Sequence, residues 1–254
     1  QTSSKPLILS MQQDTCGIDY RDYDPIAFIL QSKHKTWTGR KLFSENFIDV
    51  KAEDFALHIN PLFNFNLKRT FGSVNENHFQ NTRGLMINGT IGKNLYFETS
   101  YYENQTSFVG YFNDYIVYQK QFSNSNAVIP GEGLAKDFKT SSYDYGVGYG
   151  MISLNLLQRK NYFINMQFGH GKNFFGDGYR SMFLSDFTPS YPFAKFNVGS
   201  KKWQYVCMYS LFKNITTDSA SNDWNSCWQQ KAGTFHYLSY FINKSINLSF
   251  FEST

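Results

Sequence analysis

The sequence predicts an all-β protein, and specifically an antiparallel transmembrane β-barrel with a short N-terminal helical cap or plug. Tyr, Phe and Trp make up 19% of the 254 residues and charged residues only 17%, yet the mean hydropathy is −0.44. Largely aromatic apolar content interleaved with Asn, Ser, Gln and Gly is typical of barrel strands that face lipid on one side. A soluble β-sandwich is the alternative that this composition leaves open.

Residues 1–54 are predicted to form the cap or plug, and residues 55–254 the barrel wall. Asp24-Pro25 precedes a short apolar run, and a capping Asp with Pro at the first helical position favours a short helix there. The longest clean apolar run, Pro25 to Leu30, is far shorter than the roughly 20 residues of a membrane helix. Because the chain opens at Gln1 without a basic-then-apolar leader, we interpret it as the mature form of an exported protein.

From Phe55 the apolar side chains recur at every second position. They hold one parity from Phe55 to Leu67, while Asn, His and Lys dominate the other, with Leu62 as the exception. Alternation over about 13 residues exceeds the usual soluble strand of about 5 or 6 and suits a tilted membrane strand. The polar parity is predicted to face the barrel lumen. Pro61 predicts a bulge or a local break in pairing.

The same alternation predicts further strands along the wall. They are expected at Gly84–Ile91, Leu95–Glu103, Tyr143–Leu156, Tyr162–Phe168, Tyr179–Leu184, Pro192–Val198, Trp203–Phe212, Thr234–Ile242 and Ser245–Phe251.

The strand from Tyr143 has an irregular pattern. Its apolar residues occupy odd positions as far as Met151 and even positions from Ile152, so a bulge is expected near Met151 with the earlier aromatics outward. The glycines between them (Gly146, Gly148 and Gly150) are expected on the inner face, leaving room for a close approach.

Two long loops are predicted, at 106–140 and 214–231. The first contains a candidate helix within Ser107–Phe122, followed by a loop over Asn124–Lys139. Long loops at one end of a sheet and short turns at the other are typical of outer-membrane barrels, in which the long loops are usually extracellular.

Several motifs resemble Bacteroidota outer-membrane proteins of the Wzi-like capsule-assembly group, in particular its RemB-like gliding-motility branch. The motifs are Asn81-Thr82-Arg83-Gly84, Tyr102-Glu103-Asn104-Gln105, Val128-Ile129-Pro130-Gly131, the run from Gly169 to Ser181, Leu184-Ser185-Asp186, Tyr191-Pro192-Phe193 and Phe235-His236-Tyr237-Leu238-Ser239. The resemblance implies a large barrel that holds surface polysaccharide or supports gliding. Since that group forms larger barrels than these strands provide, we expect further strands or a partner to complete this one.

The stretch Asn165 to Asp186 carries four glycines between two apolar, strand-like flanks. A phosphate-binding loop is excluded, because Gly-His-Gly-Lys-Asn lacks the required spacing and Asn173 stands where a metal-binding hydroxyl is needed. The stretch is instead predicted to join two adjacent wall strands.

Two interpretations of its polar residues stay open. In the structural one, Lys172, Asp177, Arg180 and Asp186 form an ion-pair network inside the wall. In the functional one, cations and a flat aromatic ring contact a surface saccharide. The predicted saccharide-binding residues are Arg83, Lys172, Asn173, Asp177, Tyr179 and Arg180.

Other kinds of site have little support. Ser185-Asp186 with His170 or His236 has the residue types of a hydrolase triad, but no Gly-x-Ser-x-Gly elbow accompanies them. The five histidines lack metal-ligand spacing, and the net charge of +4 is not clustered as nucleic-acid binding requires. A Cys207–Cys227 bridge is one possibility. No catalytic residue, metal or cofactor is predicted.

The sequence therefore predicts a non-enzymatic protein of the bacterial outer membrane that acts in surface polysaccharide (capsule) attachment or gliding motility. Its expected partners are outer-membrane lipid, surface polysaccharide and other outer-membrane proteins, and not nucleic acid. The alternative is a protein-interaction subunit of a larger outer-membrane or secretion assembly.

Overall fold

The computed structural model describes residues 4–5, 36–43, 45–71, 76–121, 127–139, 141–176, 178–213, 230–243 and 246–254. The strands are β1 (Ser4–Lys5), β2 (Ile48–Lys51), β3 (Phe55–Thr70), β4 (Glu76–Ile91), β5 (Leu95–Ser107), β6 (Ala127–Ile129), β7 (Gly133–Phe138), β8 (Ser142–Gln158), β9 (Tyr162–Gly171), β10 (Phe174–Phe175), β11 (Tyr191–Ser200), β12 (Trp203–Lys213), β13 (Gln230–Phe241) and β14 (Asn247–Ser253). The helices are α1 (Trp37–Phe43) and α2 (Gly110–Gln119). In these ranges, neither helix has the length and hydropathy needed to cross a membrane.

One antiparallel sheet dominates the structure. Its strand order is β2-β3-β4-β5-β8-β9-β11-β12-β13-β14, the short strand β7 pairs with β6 and β8, and β1 pairs separately with β10. The all-β, antiparallel prediction is confirmed. The described strands form an open sheet and do not close into a barrel, with β14 at one edge and β2 and β3 at the other.

The two faces of the sheet differ in what covers them. Residues paired directly across an antiparallel ladder lie on the same face, so the pairing register assigns every side chain to one side. We call the side against which α2, β6 and β10 pack the inner face. It carries the buried polar side chains of the central strands: Ser153, Asn155, Asn165, Gln167, Lys195, Asn197, Ser210 and Ser239.

The outer face is apolar and exposed. Phe65 has 70% of its surface accessible and Phe168 has 46%. The other large exposed side chains of this face include Phe63, Leu67, Leu85, Ile91, Tyr101, Ile152, Leu156, Tyr162, Phe196, Trp203, Tyr209, Leu238, Tyr240, Leu248 and Phe250. The polar parity of β3, including Asn60 and Asn64, lies on the inner side, as the sequence predicts.

The short turns do not lie at one level across the sheet, because their level shifts by about four residues between β5 and β8. Leu95, Leu154, Met166, Phe196, Cys207 and His236 follow one another across six neighbouring strands in a single row of cross-strand pairs. Leu95 begins its strand directly after a short turn, whereas β13 continues from His236 to Phe241 before its short turn. The line joining the short turns therefore runs obliquely to the strands.

Strand β8 differs from the prediction. Its odd positions stay on the inner face from Tyr143 to Asn155, so Tyr143, Tyr145 and Met151 are buried and do not point outward. The irregularity in pairing occurs between Asn155 and Leu157 rather than near Met151. The apolar residues shift from odd to even positions because the inner face becomes polar at Ser153. As far as Asn155, the odd positions still face inward and the even positions outward.

The three glycines of β8 consequently lie on the outer face, and the prediction that they face inward is wrong. The ring of Tyr101 leans over Gly148 and Gly146, and its hydroxyl lies 2.6 Å from where a Cβ on Gly146 would stand.

The predicted bulge at Pro61 is absent, since β3 and β4 pair without interruption from Phe55 to Thr70. The Phe55 carbonyl accepts a hydrogen bond from the Ala52 N–H, so the backbone polar groups of Phe55 point toward β2. Pro61 is an even number of residues further along, so its nitrogen points the same way. Because β2 ends at Ile48, opposite Ile59, no strand lies beside Pro61 and its missing N–H costs no hydrogen bond in the sheet.

The remaining predictions had mixed outcomes. The helix within Ser107–Phe122 is confirmed as α2, but β6 and β7 occupy part of the stretch expected to be loop. Tyr179–Leu184 is not a strand and contributes only an isolated bridge between Leu184 and Phe175. Cys207 is a free thiol, and its predicted partner Cys227 lies outside the described residues. The helix expected at Pro25 and most of the loop at 214–231 lie outside the described residues.

Gly169 lies where the backbones of β8 and β9 approach each other closely. A Cβ on Gly169 would press on the Gly150 carbonyl oxygen and lie 2.9 Å from the Met151 Cα, whereas a Cβ on Gly148 would meet nothing closer than 4.0 Å. We expect Gly169→Ala to lower the free energy of unfolding by about 1–3 kcal/mol through backbone displacement. Gly148→Ala, the matched control, should be neutral or stabilising in denaturant titrations. Equal stability of the two variants would contradict this packing.

Candidate functional site

Phe175 anchors the connection between β9 and β11 on the inner face. Its side chain is completely buried, with ring centroids 5.5 Å from Tyr237 and 6.0 Å from Phe251. Its N–H donates to the Leu184 carbonyl at 3.0 Å, and Gly176 provides the turn with φ of 126°, which other residues rarely adopt. The most unusual stretch of the sequence therefore folds inward as a packed turn.

Lys172 joins the two long connections to each other. Its ammonium donates to the Gly131 carbonyl oxygen at 2.7 Å and lies 3.4 Å from a carboxylate oxygen of Glu132. The ring of Phe187 also contacts Gly131, with ring carbons 3.1 Å from where a Cβ would stand. Lys172 thus holds the β6–β7 turn against the segment that follows β10.

A buried polar cluster lies beneath this joint. The Lys195 side-chain nitrogen donates to the Asn173 side-chain oxygen at 3.0 Å, and both residues are almost fully buried. The Asn173 backbone N–H donates to the Tyr191 hydroxyl at 3.2 Å. A buried polar group is tolerated only when it is hydrogen-bonded, so this cluster fixes the position of Asn173.

An amide ladder continues from this cluster toward the short turns. Asn165 donates to Ser153 and Asn155, both at 2.8 Å, and accepts from Asn197 at 3.4 Å. Within the described part of the chain, both side-chain polar atoms of Gln167 and the side-chain oxygen of Asn197 are buried without a hydrogen bond. Such atoms cost about 1–3 kcal/mol each. The ladder retains donors and acceptors that a hydroxyl-bearing ligand or water can satisfy.

The predicted saccharide-binding residues are only partly brought together. Lys172 and Asn173 lie at the inner joint, and Tyr179 and Arg180 are exposed on the same connection, Tyr179 with 95% of its surface accessible. Arg83 lies on the outer face, where its guanidinium is 3.2 Å from Glu103 on the next strand. Asp177 lies outside the described residues.

Three of the four residues proposed for the ion-pair network are described, and these three do not pair with one another; Asp177 lies outside the described part of the chain. Lys172 pairs with Glu132 of the other connection. Arg180 and Asp186 make no ion pair with any described residue. The physical reason is that the turn between them is held by backbone bonds and aromatic packing instead of by charge.

The residue types of a hydrolase are dispersed. His170 and His236 lie on the outer face, while the Ser185 hydroxyl accepts a bond from the Phe187 N–H in a local turn at 3.1 Å. No group of three or more metal-ligating side chains occurs among the residues that the structure describes.

Sequence reasoning did not single out Lys195. Lys195 lies two residues from both Phe193 and Asn197 in β11, so the alternation of the strand could have placed it on the inner face. That signal is weak, because an isolated lysine in a strand more often faces solvent.

The helix α2 presents tyrosines on its uncovered side. Ile116 is fully buried and Phe112 packs on Phe108 with centroids 4.6 Å apart. Tyr111, Tyr115 and Tyr118 follow the spacing of one helical face and are exposed.

Comparison with known proteins gives no match: no family model, no curated protein and no solved structure is significantly similar to this chain.

The connection between β9 and β11 combines an anchor with an exposed part. We expect Phe175→Ala to lower the free energy of unfolding by about 3–5 kcal/mol, because it removes a fully buried aromatic ring. Tyr179→Ala on the same connection should change it by less than about 0.5 kcal/mol, because its ring is exposed. Chemical unfolding of both variants measures the difference, and a small effect at Phe175 would show that this turn is not packed against the sheet.

Proposed function

We propose that this sheet is part of the wall of a bacterial outer-membrane β-barrel. The outer face is the observation that carries the proposal, because its large apolar side chains are exposed on strand after strand while the inner face buries amides and a lysine. In water, an apolar surface of this extent favours aggregation or a partner. Against hydrocarbon the same arrangement is the favourable one.

The length of the apolar band also suits a membrane. On β4 the outer side chains are apolar from Ile91 to Leu85, and on β3 they stay apolar from Phe55 to Leu67, a length of about 40 Å along the strand. Leu85 lies opposite Pro61, near the middle of this band.

In a membrane, the backbone groups at both open edges of the sheet must be paired. The outward-turned backbone groups of β14, and those of β3 beyond Ile59, have no strand beside them among the described residues. In hydrocarbon each unpaired group costs several kcal/mol. Further strands, from the same polypeptide or from another, are therefore needed to close the wall.

Surface polysaccharide attachment or gliding motility, without catalysis, is the function we propose for this wall. The motifs that resemble the Wzi-like capsule-assembly group and its RemB-like gliding-motility branch support it. Tyr179 and Arg180 are exposed on a connection that Phe175 anchors, and an aromatic ring beside a guanidinium can stack on a sugar and donate to its hydroxyls.

A protein-interaction subunit of a larger outer-membrane or secretion assembly is the second candidate. The exposed tyrosine face of α2 favours it, because tyrosines are enriched at protein interfaces.

Membrane insertion makes the two faces respond differently to charge. We expect Leu85→Lys on the outer face to destabilise the folded protein by about 2–4 kcal/mol in a bilayer. Asn64→Lys, on the inner face of β3, is the matched control and should fold normally. The readout is the fraction that migrates as a compact, heat-modifiable band after membrane extraction. A soluble protein in which both variants fold equally well would refute the membrane proposal.

Saccharide binding can be separated from folding at Arg180. Its side chain is exposed, so Arg180→Ala should leave stability unchanged and reduce binding to any surface glycan that the wild type retains on a glycan array by about tenfold. Lys136→Ala, also exposed but on β7, is the control. If no glycan binds and a stable protein partner copurifies, the second candidate is supported instead.

A further inference from the structure

Two of the short turns carry a concentrated positive charge. The turn between β8 and β9 contains Arg159 and Lys160, and the turn between β11 and β12 consists of Lys201 and Lys202. All four residues are exposed, and neither turn contains an acidic residue. None of the four forms an ion pair with a described residue. We call these two segments the basic turns.

The charge is specific to this part of the sheet. The turn between β2 and β3 carries the acidic residues Glu53 and Asp54, and the turn between β4 and β5 carries a single cation, Lys93. The basic turns lie side by side at one level, because Ser200 at the end of β11 pairs with Tyr162 at the start of β9. Two strand spacings separate them, or about 10 Å. Four cations therefore lie within about one Debye length of one another.

Hydrogen bonds hold these cations in place. The Arg159 N–H donates to the Tyr162 carbonyl oxygen at 2.9 Å and closes the β8–β9 hairpin. The Lys202 N–H donates to the Ser200 hydroxyl at 3.3 Å, and the Lys202 carbonyl oxygen accepts from the Phe241 N–H at 2.7 Å. Like charges held close together repel, and a bound anionic surface would offset this repulsion.

Aromatic side chains with a polar edge border the basic turns on the outer face. Tyr162 begins β9 directly after one turn, and Trp203 begins β12 directly after the other. Trp203 pairs with Tyr240 of β13, and all three rings are exposed. Trp and Tyr concentrate where hydrocarbon meets lipid headgroups, because such rings are apolar with one polar group. The order from the turns inward is therefore cations, amphipathic rings and then the apolar outer face.

We propose that the basic turns bind the headgroups of anionic phospholipids at the membrane surface beside them. Charge complementarity requires an anionic partner, and the bordering rings and apolar face favour a lipid surface over a nucleic acid or an acidic protein. Each Lys or Arg near such a surface contributes about fivefold in affinity. The inference rests on the proposed membrane location, and it adds that the leaflet on the side of the short turns is selected by charge.

Charge removal at one basic turn tests the site. Lys201→Gln/Lys202→Gln removes two exposed cations, so folding should not depend on them. The control, Lys68→Gln/Lys231→Gln, removes the same charge from exposed inner-face positions at the other end of the sheet. Each protein is reconstituted in vesicles of equal parts phosphatidylglycerol and phosphatidylcholine with the same hydrocarbon chains, and is extracted in mild detergent. Native mass spectrometry then measures the ratio of the two phospholipids that remain bound.

The wild type and the control variant should retain an excess of phosphatidylglycerol. Lys201→Gln/Lys202→Gln should lower this excess by roughly twentyfold, as expected from two contributions of about fivefold each. Added salt should lower the excess in the wild type, because mobile ions screen exposed charges.

An unchanged excess in Lys201→Gln/Lys202→Gln, or an equal loss in the control variant, overturns the site. A wild-type protein that is heat-modifiable in the vesicles but retains both phospholipids equally defeats this inference alone. One that never enters the vesicles defeats the membrane proposal.

Discussion

Pairing register is the constraint on which both faces of this sheet depend. Side chains alternate with a period of two, so a slip of one residue between neighbouring strands would exchange the faces of every strand beyond it. The observed register sets Ile152 opposite Phe168 on the outer face and Ser153 opposite Gln167 on the inner face. A slip of one residue would place Gln167 on the apolar face and apolar side chains among the amides. The free-energy cost of this exchange at each pair disfavours a misaligned register.

The inner face is divided along the strands. Toward the long connections it is closed by an aromatic cluster built around Phe175, and toward the short turns it carries the amide ladder of Asn165 and Asn197. The cluster gives the connection a rigid base. Exposed groups such as Tyr179 and Arg180 therefore extend from an anchored turn, which reduces the conformational entropy that a bound ligand would have to remove.

The outer face combines a general property with a local exception. Apolar side chains recur on most strands, but β8 has glycine at three successive outer positions, Gly146, Gly148 and Gly150. The Tyr101 ring leans over Gly146. Aromatic cover of glycine on a neighbouring strand is a known way to keep register where side chains are missing. It covers Gly146 and leaves Gly150 open, so one stretch of the outer face differs in shape from its surroundings.

The sequence by itself determined the strand alternation, most strand positions, the helix α2 and the polar side of β3, because periodicity and turn residues are local properties. It did not determine the faces of β8, where the aromatics are buried by α2 and β6 far along the chain. It also joined Arg83 with Lys172 and Asn173 as one candidate site, whereas the register turns Arg83 to the opposite face. Only the tertiary structure decided these points, because which parity is covered depends on the connections that fold over it.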